Sequence, residues 1–173
     1  MITIRAACEA DLPAILGIYN HVILNTTAVY QYVPQTLEMR KAWYDAKVKD
    51  GYPLFVAEEE GCVLGLSTYG PFRNWAAYKY TVENSVYVAE GHRGKGIARL
   101  LMEPLIEAAR RQAYHAIIAS IDATNDASIR LHRSFGFEEV AHFRQVGYKF
   151  GRWLDLKFLE LLLMDSPAHP VDG

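Results

Sequence analysis

The chain has 173 residues, 51% of them hydrophobic and 22% charged, with a formal net charge of −2. That length suits one domain with a substantial core, expected over 1–173 with its core at about 2–163 and a tail at 164–173. The slight negative charge argues against general nucleic-acid binding, and no apolar run approaches the roughly 18 residues that span a membrane.

Ile2 to Arg5 alternates and predicts a first strand. From Glu9 to about Asn25, residues Leu12, Ile15, Leu16, Tyr19, Val22 and Ile23 keep the spacing of one helical face, and Pro13 fits the first turn. Asn25 to Gln35 is aromatic and irregular and predicts a covering loop. Thr36 can cap a second helix to about Asp50, with Gly51 as its stop. Leu54–Glu58 and Val63–Tyr69 read as strands joined by the acidic turn Glu59-Glu60-Gly61, with Gly70-Pro71 ending the second. A polar-aromatic loop, Phe72 to Ala77, leads to a strand over Tyr80–Val88 and a helix from Gly96 to about Ala113. Ala116–Ile121 reads as a buried strand. Asp126 to about Phe135 reads as a short helix that Asn125 or Asp126 can cap and Gly136 stops. Val140–Val146 and Trp153–Leu163 close the chain as strands around Gly147–Gly151. The mixed order, β-α-α-β-β-β-α-β-α-β-β, predicts an α/β fold with one mixed sheet and helices on its faces. Met1–Arg5 lacks the basic and apolar regions of a signal peptide, and Cys8 and Cys62 match no metal or redox spacing. Both observations fit free thiols in a reducing cytoplasm.

The most informative stretch runs from Val86 to Leu101. An apolar β-branched run passes through a basic loop with Gly91, Gly94 and Gly96 and enters an amphipathic helix. Glycines let backbone N–H groups turn inward, the helix N-terminus adds partial positive charge, and Arg93 and Lys95 add full charges. This is an anion site of the kind that holds phosphates. The residues alone also permit a helix-capping loop with no ligand.

Arg93-x-x-Gly96-x-Ala98, placed after Val86-x-Val88 and opening a helix, resembles the acyl-CoA-binding motif of the GNAT family of N-acetyltransferases. Asn125, between a strand and a helix that closes on Gly136-Phe137, is similar to that family's second CoA-contacting segment. The element order agrees from Ile2 to about Leu163. Tyr52-Pro53, Gly70-Pro71, Glu83-x-Ser85-Val86-Tyr87-Val88, Asn125-Asp126-x-Ser128, His132 and Gly147-Tyr148-Lys149-x-Gly151-x-Trp153 together resemble the phosphinothricin and methionine sulfoximine acetyltransferases. Members of that subgroup acetylate the α-amine of small amino acids bearing a tetrahedral phosphorus or sulfur group. The resemblance implies the GNAT acyl-CoA N-acyltransferase fold, a central mixed and mostly antiparallel sheet flanked by helices. It implies direct transfer from acetyl-CoA to a small amino acid in a ternary complex. It further implies an acetyl-CoA site over Val86, Val88, Ala89, Glu90, Arg93, Gly94, Lys95, Gly96, Ile97, Ala98, Arg99, Leu100 and Leu101, joined by Asn125 and Ser128.

Acetyl transfer to an amine needs a proton acceptor for the ammonium, a donor for the thioester oxygen, and a proton for the leaving thiolate. Glu83 is the candidate base, the one charged residue between Tyr80 and Ala89, on the strand face with Thr81, Ser85 and Tyr87. A structural ion pair with a neighbouring strand is the alternative. The resemblance makes the Val88 N–H the oxyanion donor. His132 stands where many of the family carry a tyrosine; it could protonate the thiolate or help Glu83 hold the amine, or simply pack on the helix surface. Arg73, Trp75, Ala76, Ala77, Tyr78, Ser85, Val86 and Tyr87, with the Val29–Tyr32 loop, are the candidate acceptor site. Arg73 suits a carboxylate or phosphinate, or equally an ordinary surface position, and Lys149 and Arg152 could complete that acid-binding side, serve a dimer contact or simply aid solubility. The remaining histidines form no ligand cluster, so no metal is expected. Apolar Phe158, Leu159, Leu161, Leu162 and Leu163 are compatible with a dimer surface. Two other readings stay open: the same fold acting on an aminoglycoside, a polyamine or a protein N-terminus, and a non-catalytic CoA-binding module.

Overall fold

The computed structural model describes residues 1–163; the expected tail, 164–173, lies outside the described residues. In chain order the elements are β1 (Thr3–Ala6), α1 (Leu12–Asn25), α2 (Leu37–Asp50), β2 (Leu54–Glu59), β3 (Cys62–Pro71), β4 (Thr81–Val88), α3 (Ile97–Arg111), β5 (Ala116–Asp122), α4 (Asp126–Ser134), β6 (Glu138–Lys149) and β7 (Arg152–Leu162). The strands form one sheet in the order β1-β2-β3-β4-β5-β7-β6. Among the described residues, only the β4–β5 pair is parallel. This is the mixed, mostly antiparallel sheet expected from the element order.

Local chemistry sets the boundaries. The Thr36 hydroxyl accepts the Met39 N–H at 3.2 Å, and Gly51 ends α2 at φ 75°, a left-handed position that favours glycine. Phe150 and Gly151, both at positive φ, make the two-residue turn between β6 and β7. β3 ends at Gly70-Pro71 as expected, and takes both residues into its ladder. Gly70 pairs with Glu83 and Pro71 with Val82. Alternation turns the missing Pro71 N–H away from β4, past the last β2 pair, Leu54↔Thr68, where no ladder bond is lost. Pro104 sits inside α3 without ending it. The α3 face buries Ile97, Leu101, Met102, Leu105, Ile106, Ala108 and Ala109, and that burial outweighs one missing bond.

Helices cover both faces of the sheet. Ser67 and Tyr69 of β3 face α3: the Ser67 hydroxyl donates to the Leu101 carbonyl, and Tyr69 packs with Met102 and Leu105. Leu66, of opposite parity, packs with Leu12, Ile15 and Ile18 of α1. Phe158, Leu159 and Leu163 are not the expected outer patch. Leu159 and Leu163 are core residues, and Phe158 packs edge-on against Phe72 and Phe143. The exposed apolar side chains of this region are Val140, Phe143, Val146 and Tyr148 on the edge strand β6, Phe150 and Trp153 at its turn, and, of the expected patch, Leu162.

At the start of α1, buried Asp11 accepts two bonds from the Arg5 guanidinium, at 2.7 and 2.8 Å, and one from the Cys8 N–H at 2.8 Å. Arg5 holds the Asp11 carboxyl down at about 2, below its ordinary 3.8. A depressed carboxylate contributes stability that is present above the unfolded value and lost as pH falls through the folded one. Asp11→Asn is expected to cost about 2 kcal/mol near neutral pH and almost nothing below about pH 2. Urea unfolding of both proteins across that range checks it; a difference independent of pH would contradict it.

Candidate active site

The site exists because two strands part. β4 and β5 pair only over Thr81↔Ala116, Val82↔Ile117 and Glu83↔Ile118. Beyond Glu83, no described strand pairs with that side of β4. The Ala89 N–H donates to Leu64 of β3, so by alternation the Val86 and Val88 N–H groups face the gap. Two cavities open there. One, of about 430 Å³, is lined by Arg73, Glu83, Asn84, Ser85, Ser120, Asp122 and His132, with the loop residues Ala28, Val29 and Tyr30 above. The other, of about 520 Å³, is lined by Arg93, Gly94, Gly96, Ile97, Ala98 and Arg99, with Val88 and Leu131. Ala28, Val86, Tyr87, Asn125 and Ser128 line both, so the two are continuous.

The second cavity holds the glycine loop. Gly91, Gly94 and Gly96 all have φ near +78°, at 78°, 77° and 79°, and Gly96 is the N-cap of α3. Such positions turn successive N–H groups to one side, as an anion cradle requires. The Asn125 side chain accepts the Ser128 N–H at 3.2 Å and so caps α4 at the far wall. These residues fit a pyrophosphate followed by an extended, amide-bearing arm. Five expected contacts do not line the cavity. Leu101 is wholly buried in the core, Leu100 lies on the outer side of α3, and Lys95 points to solvent. Glu90 is paired with His21 at 2.6 Å, and Ala89 continues the bond to β3.

In the first cavity, Glu83 accepts the Ser120 hydroxyl at 2.5 Å. Its face of β4 is the expected one. Tyr87, two pairs along, packs edge-on against Tyr19, and burial pushes its phenol up to about 12. Asp122, the other carboxylate, is fully engaged: one oxygen accepts the Tyr30 hydroxyl at 2.8 Å, the other the Thr124 N–H and hydroxyl. His132 is not a surface histidine; it is 4% exposed. Its Nδ1 lies 2.8 Å from the Ser128 carbonyl, its Nε2 3.0 Å from the Asn84 amide nitrogen, and its ring stands edge-on to Phe137. Burial lowers its pKa, partly offset by the Ser128 carbonyl.

The polar-aromatic loop contributes less than expected. Arg73 lines the cavity, donating to its neighbour's carbonyl and lying 4.2 Å over the Phe72 ring. Trp75, Ala76, Ala77 and Tyr78 do not line it: Trp75 is 80% exposed, and Tyr78 folds back on Phe72. Lys149 is not an acid-binding group either. It is buried, and its ammonium donates to the carbonyls of Ile23, Thr26 and Val29 at 2.6, 2.8 and 2.8 Å. Arg152 does not line the cavity and sits exposed at the hairpin turn. Sequence reading missed Asn84, Ser120 and Asp122. Ser120 carried a signal, as a lone hydroxyl within the apolar run Ala116–Ile121.

Tyr30 closes the cavity from the loop, its hydroxyl shared between Asp122 and the Asp155 carbonyl; burial, then the Asp122 carboxylate, raises its pKa. A Cβ on Gly147 would lie 2.6 Å from the Tyr30 ring. Gly147→Ala is therefore expected to displace Tyr30 and raise KM for the acceptor about tenfold, leaving KM for the cofactor within about twofold. Steady-state kinetics with each substrate varied in turn checks this.

Residues 4–157 match the family described as acetyltransferase (GNAT) domain. A Salmonella typhimurium L-methionine sulfoximine/L-methionine sulfone acetyltransferase is 48% identical over 168 residues, covering 97% of this chain and 98% of its own. The crystal structure of a Sinorhizobium meliloti phosphinothricin acetyltransferase, in complex with acetyl-CoA, superposes at TM-score 0.95 with 36% identity, covering 99% of this chain and 94% of that one. A Brucella melitensis structure named as a ribosomal-protein-alanine N-acetyltransferase superposes at 0.91 with 51% identity, covering 93% and 99%.

Proposed function

The chain belongs to the GNAT family of acetyltransferases, and on that premise we propose that it acetylates the α-amine of a small amino acid from acetyl-CoA. Methionine sulfoximine, methionine sulfone and phosphinothricin are the acceptors its relatives suggest. The observation that carries the reading is the continuity of the two cavities through the β4–β5 gap. It sets a phosphate-type cradle at one end and a pocket with one incompletely engaged carboxylate at the other.

Acetyl-CoA supplies the activated acyl group. Arg93, Gly94, Gly96 and the first turn of α3 hold its pyrophosphate, Asn125 and Ser128 flank its arm, and the Val86 and Val88 backbone pairs with that arm as a strand would. Glu83, directly or through a water, takes a proton from the acceptor ammonium. The Val88 N–H, turned into the gap, donates to the acyl oxygen as it gains charge. His132, whose Nε2 faces the Asn84 amide as an acceptor, is assigned to the amine side of the reaction rather than to protonating the thiolate. Arg73 reads the acceptor's acidic groups, with Ser85 and Tyr87 beside it.

The protein is proposed to act as one domain and as a homodimer through the apolar edge of β6, which sedimentation would test. The exposed free thiols of Cys8 and Cys62 support a cytoplasmic setting. The function is tested by thiol release from acetyl-CoA across an acceptor panel. The expected kcat/KM for methionine sulfone or sulfoximine exceeds that for spermidine, an aminoglycoside or an alanine-starting ribosomal peptide by at least about a hundredfold. Preference for the peptide would support the alternative that the Brucella relative's name carries. Binding without transfer would support a CoA sensor.

A further inference from the structure

The mechanism leaves Asn84, a buried polar side chain in the cavity wall, unused. Asn84 follows the last residue of β4 that pairs with β5, and its side chain lies on the face opposite Glu83, toward α3 and α4. It is 8% exposed. Its amide nitrogen lies 3.0 Å from His132 Nε2 and 3.4 Å from the Met102 sulfur; its carbonyl oxygen is buried with no partner among the described residues.

The neighbours of His132 fix what each nitrogen can do. Of the two neighbours of Nδ1, the Ser128 carbonyl at 2.8 Å is nearer than the Ser128 hydroxyl at 3.4 Å; the carbonyl can only accept, so Nδ1 carries a proton. A neutral ring then has a bare Nε2, which accepts from the Asn84 amide. If Nε2 gains a proton, the same contact would set two donors face to face. Turning the Asn84 amide over would bring its unpartnered oxygen onto the Nε2 proton, at the loss of a weak contact to sulfur. A carboxamide is donor and acceptor at nearly equal reach, so it can satisfy both states of the ring; a carboxylate or an alkyl group can satisfy at most one.

We propose that Asn84 is the positioning residue of His132, holding Nε2 as a proton acceptor in the resting enzyme and accommodating the imidazolium by rotation of its amide. The charged groups around the ring have other partners or lie off it. Glu83, across the cavity, is bonded to Ser120, Asp122 to Tyr30 and Thr124, and Arg73 lies on Phe72. From α3, Arg99 reaches Glu103 and Ser134; on α4, Arg133 pairs with Glu139, while Asp126 and Arg130 are on its outer turns. None of these is bonded to His132, which leaves the Asn84 amide as the polar group at Nε2.

The inference rests on the proposed function only for its kinetic consequence, so the decisive measurement uses no substrate. The His132 side chain is followed by ¹⁵N–¹H correlation NMR on the full chain, its signals assigned by their loss in His132→Gln. The native ring at neutral pH is expected to show a protonated Nδ1 and a bare Nε2. Asn84→Asp, which can only accept, is expected to move the titration midpoint up by about one pH unit or more, and Asn84→Leu to move it down. The pH limb of the acetylation rate is expected to follow in the same directions. A protonated Nε2 in the neutral native ring, unchanged midpoints, or shifts of the same sign in both variants would overturn the proposal. If one variant fails to fold, the native tautomer and the other variant's shift still decide it. A native enzyme that acetylates no amine but shows the opposed shifts would refute the function and leave the Asn84 assignment standing.

Discussion

Glu83→Gln is expected to lower kcat for methionine sulfone at neutral pH by about a hundredfold or more, with little change in acetyl-CoA affinity. The cavity has two carboxylates, and their bonding separates them. Both Asp122 oxygens are engaged by Tyr30 and Thr124, which makes Asp122 the anchor of the covering loop. Glu83 has one oxygen on the Ser120 hydroxyl and lies on the β4 face that lines the acceptor pocket. Glutamine keeps a carbonyl for Ser120 and nearly the same volume, so the substitution removes the base while sparing the packing. Stopped-time assays of thiol release, with acetyl-CoA binding measured by calorimetry, give the two quantities. A variant that keeps full kcat would remove Glu83 from the chemistry.

Lys149→Met is expected to cost about 3 kcal/mol of stability or more and to raise KM for the acceptor severalfold. Three carbonyls from the end of α1 and the loop beyond it converge on one buried ammonium. Methionine fills the space but leaves those carbonyls without a donor, each worth about 1–3 kcal/mol when buried unpaired. The same loop carries Ala28, Val29 and Tyr30 over the acceptor pocket, and the Tyr32 hydroxyl ties it again to the Tyr148 carbonyl. Lys149 is thus a tether between the loop and the hairpin. Chemical denaturation and steady-state kinetics read the two effects; a variant as stable as the parent would show that the carbonyls find other donors.

What the sequence made legible was local or periodic. The Thr36 cap, the Gly51 stop and the face of β4 bearing Glu83, Ser85 and Tyr87 each follow from neighbouring residues, and each appears in the fold. Side chains whose partners come from far along the chain were harder to read. Lys149 looks like an exposed charge in a hairpin until α1 is folded against it, more than a hundred residues away in sequence. Asn84 reads as an ordinary polar strand residue until α4 brings His132 to it. Trp75 and Tyr78 show the opposite error. Aromatic content suggested a pocket wall, but the residues from Ala76 to Tyr78 form a single turn outside the cavity. Leu159 and Leu163 read as an outer patch because apolar character alone does not tell which side of a strand is covered.

In the proposed reaction the acetyl group passes directly to the α-nitrogen of a small amino acid bound in the β4–β5 gap. Methionine sulfoximine tests it with two nitrogens in one molecule. Incubation with acetyl-CoA labelled with ¹³C at the acetyl carbonyl, followed by carbon–proton correlation NMR of the product, reports which nitrogen carries the label. The predicted result is a correlation from the labelled carbonyl to the proton on the α-carbon, with no label retained on the protein. Label on the sulfoximine nitrogen or on the protein, or release of free acetate without an acetylated product, would contradict the account.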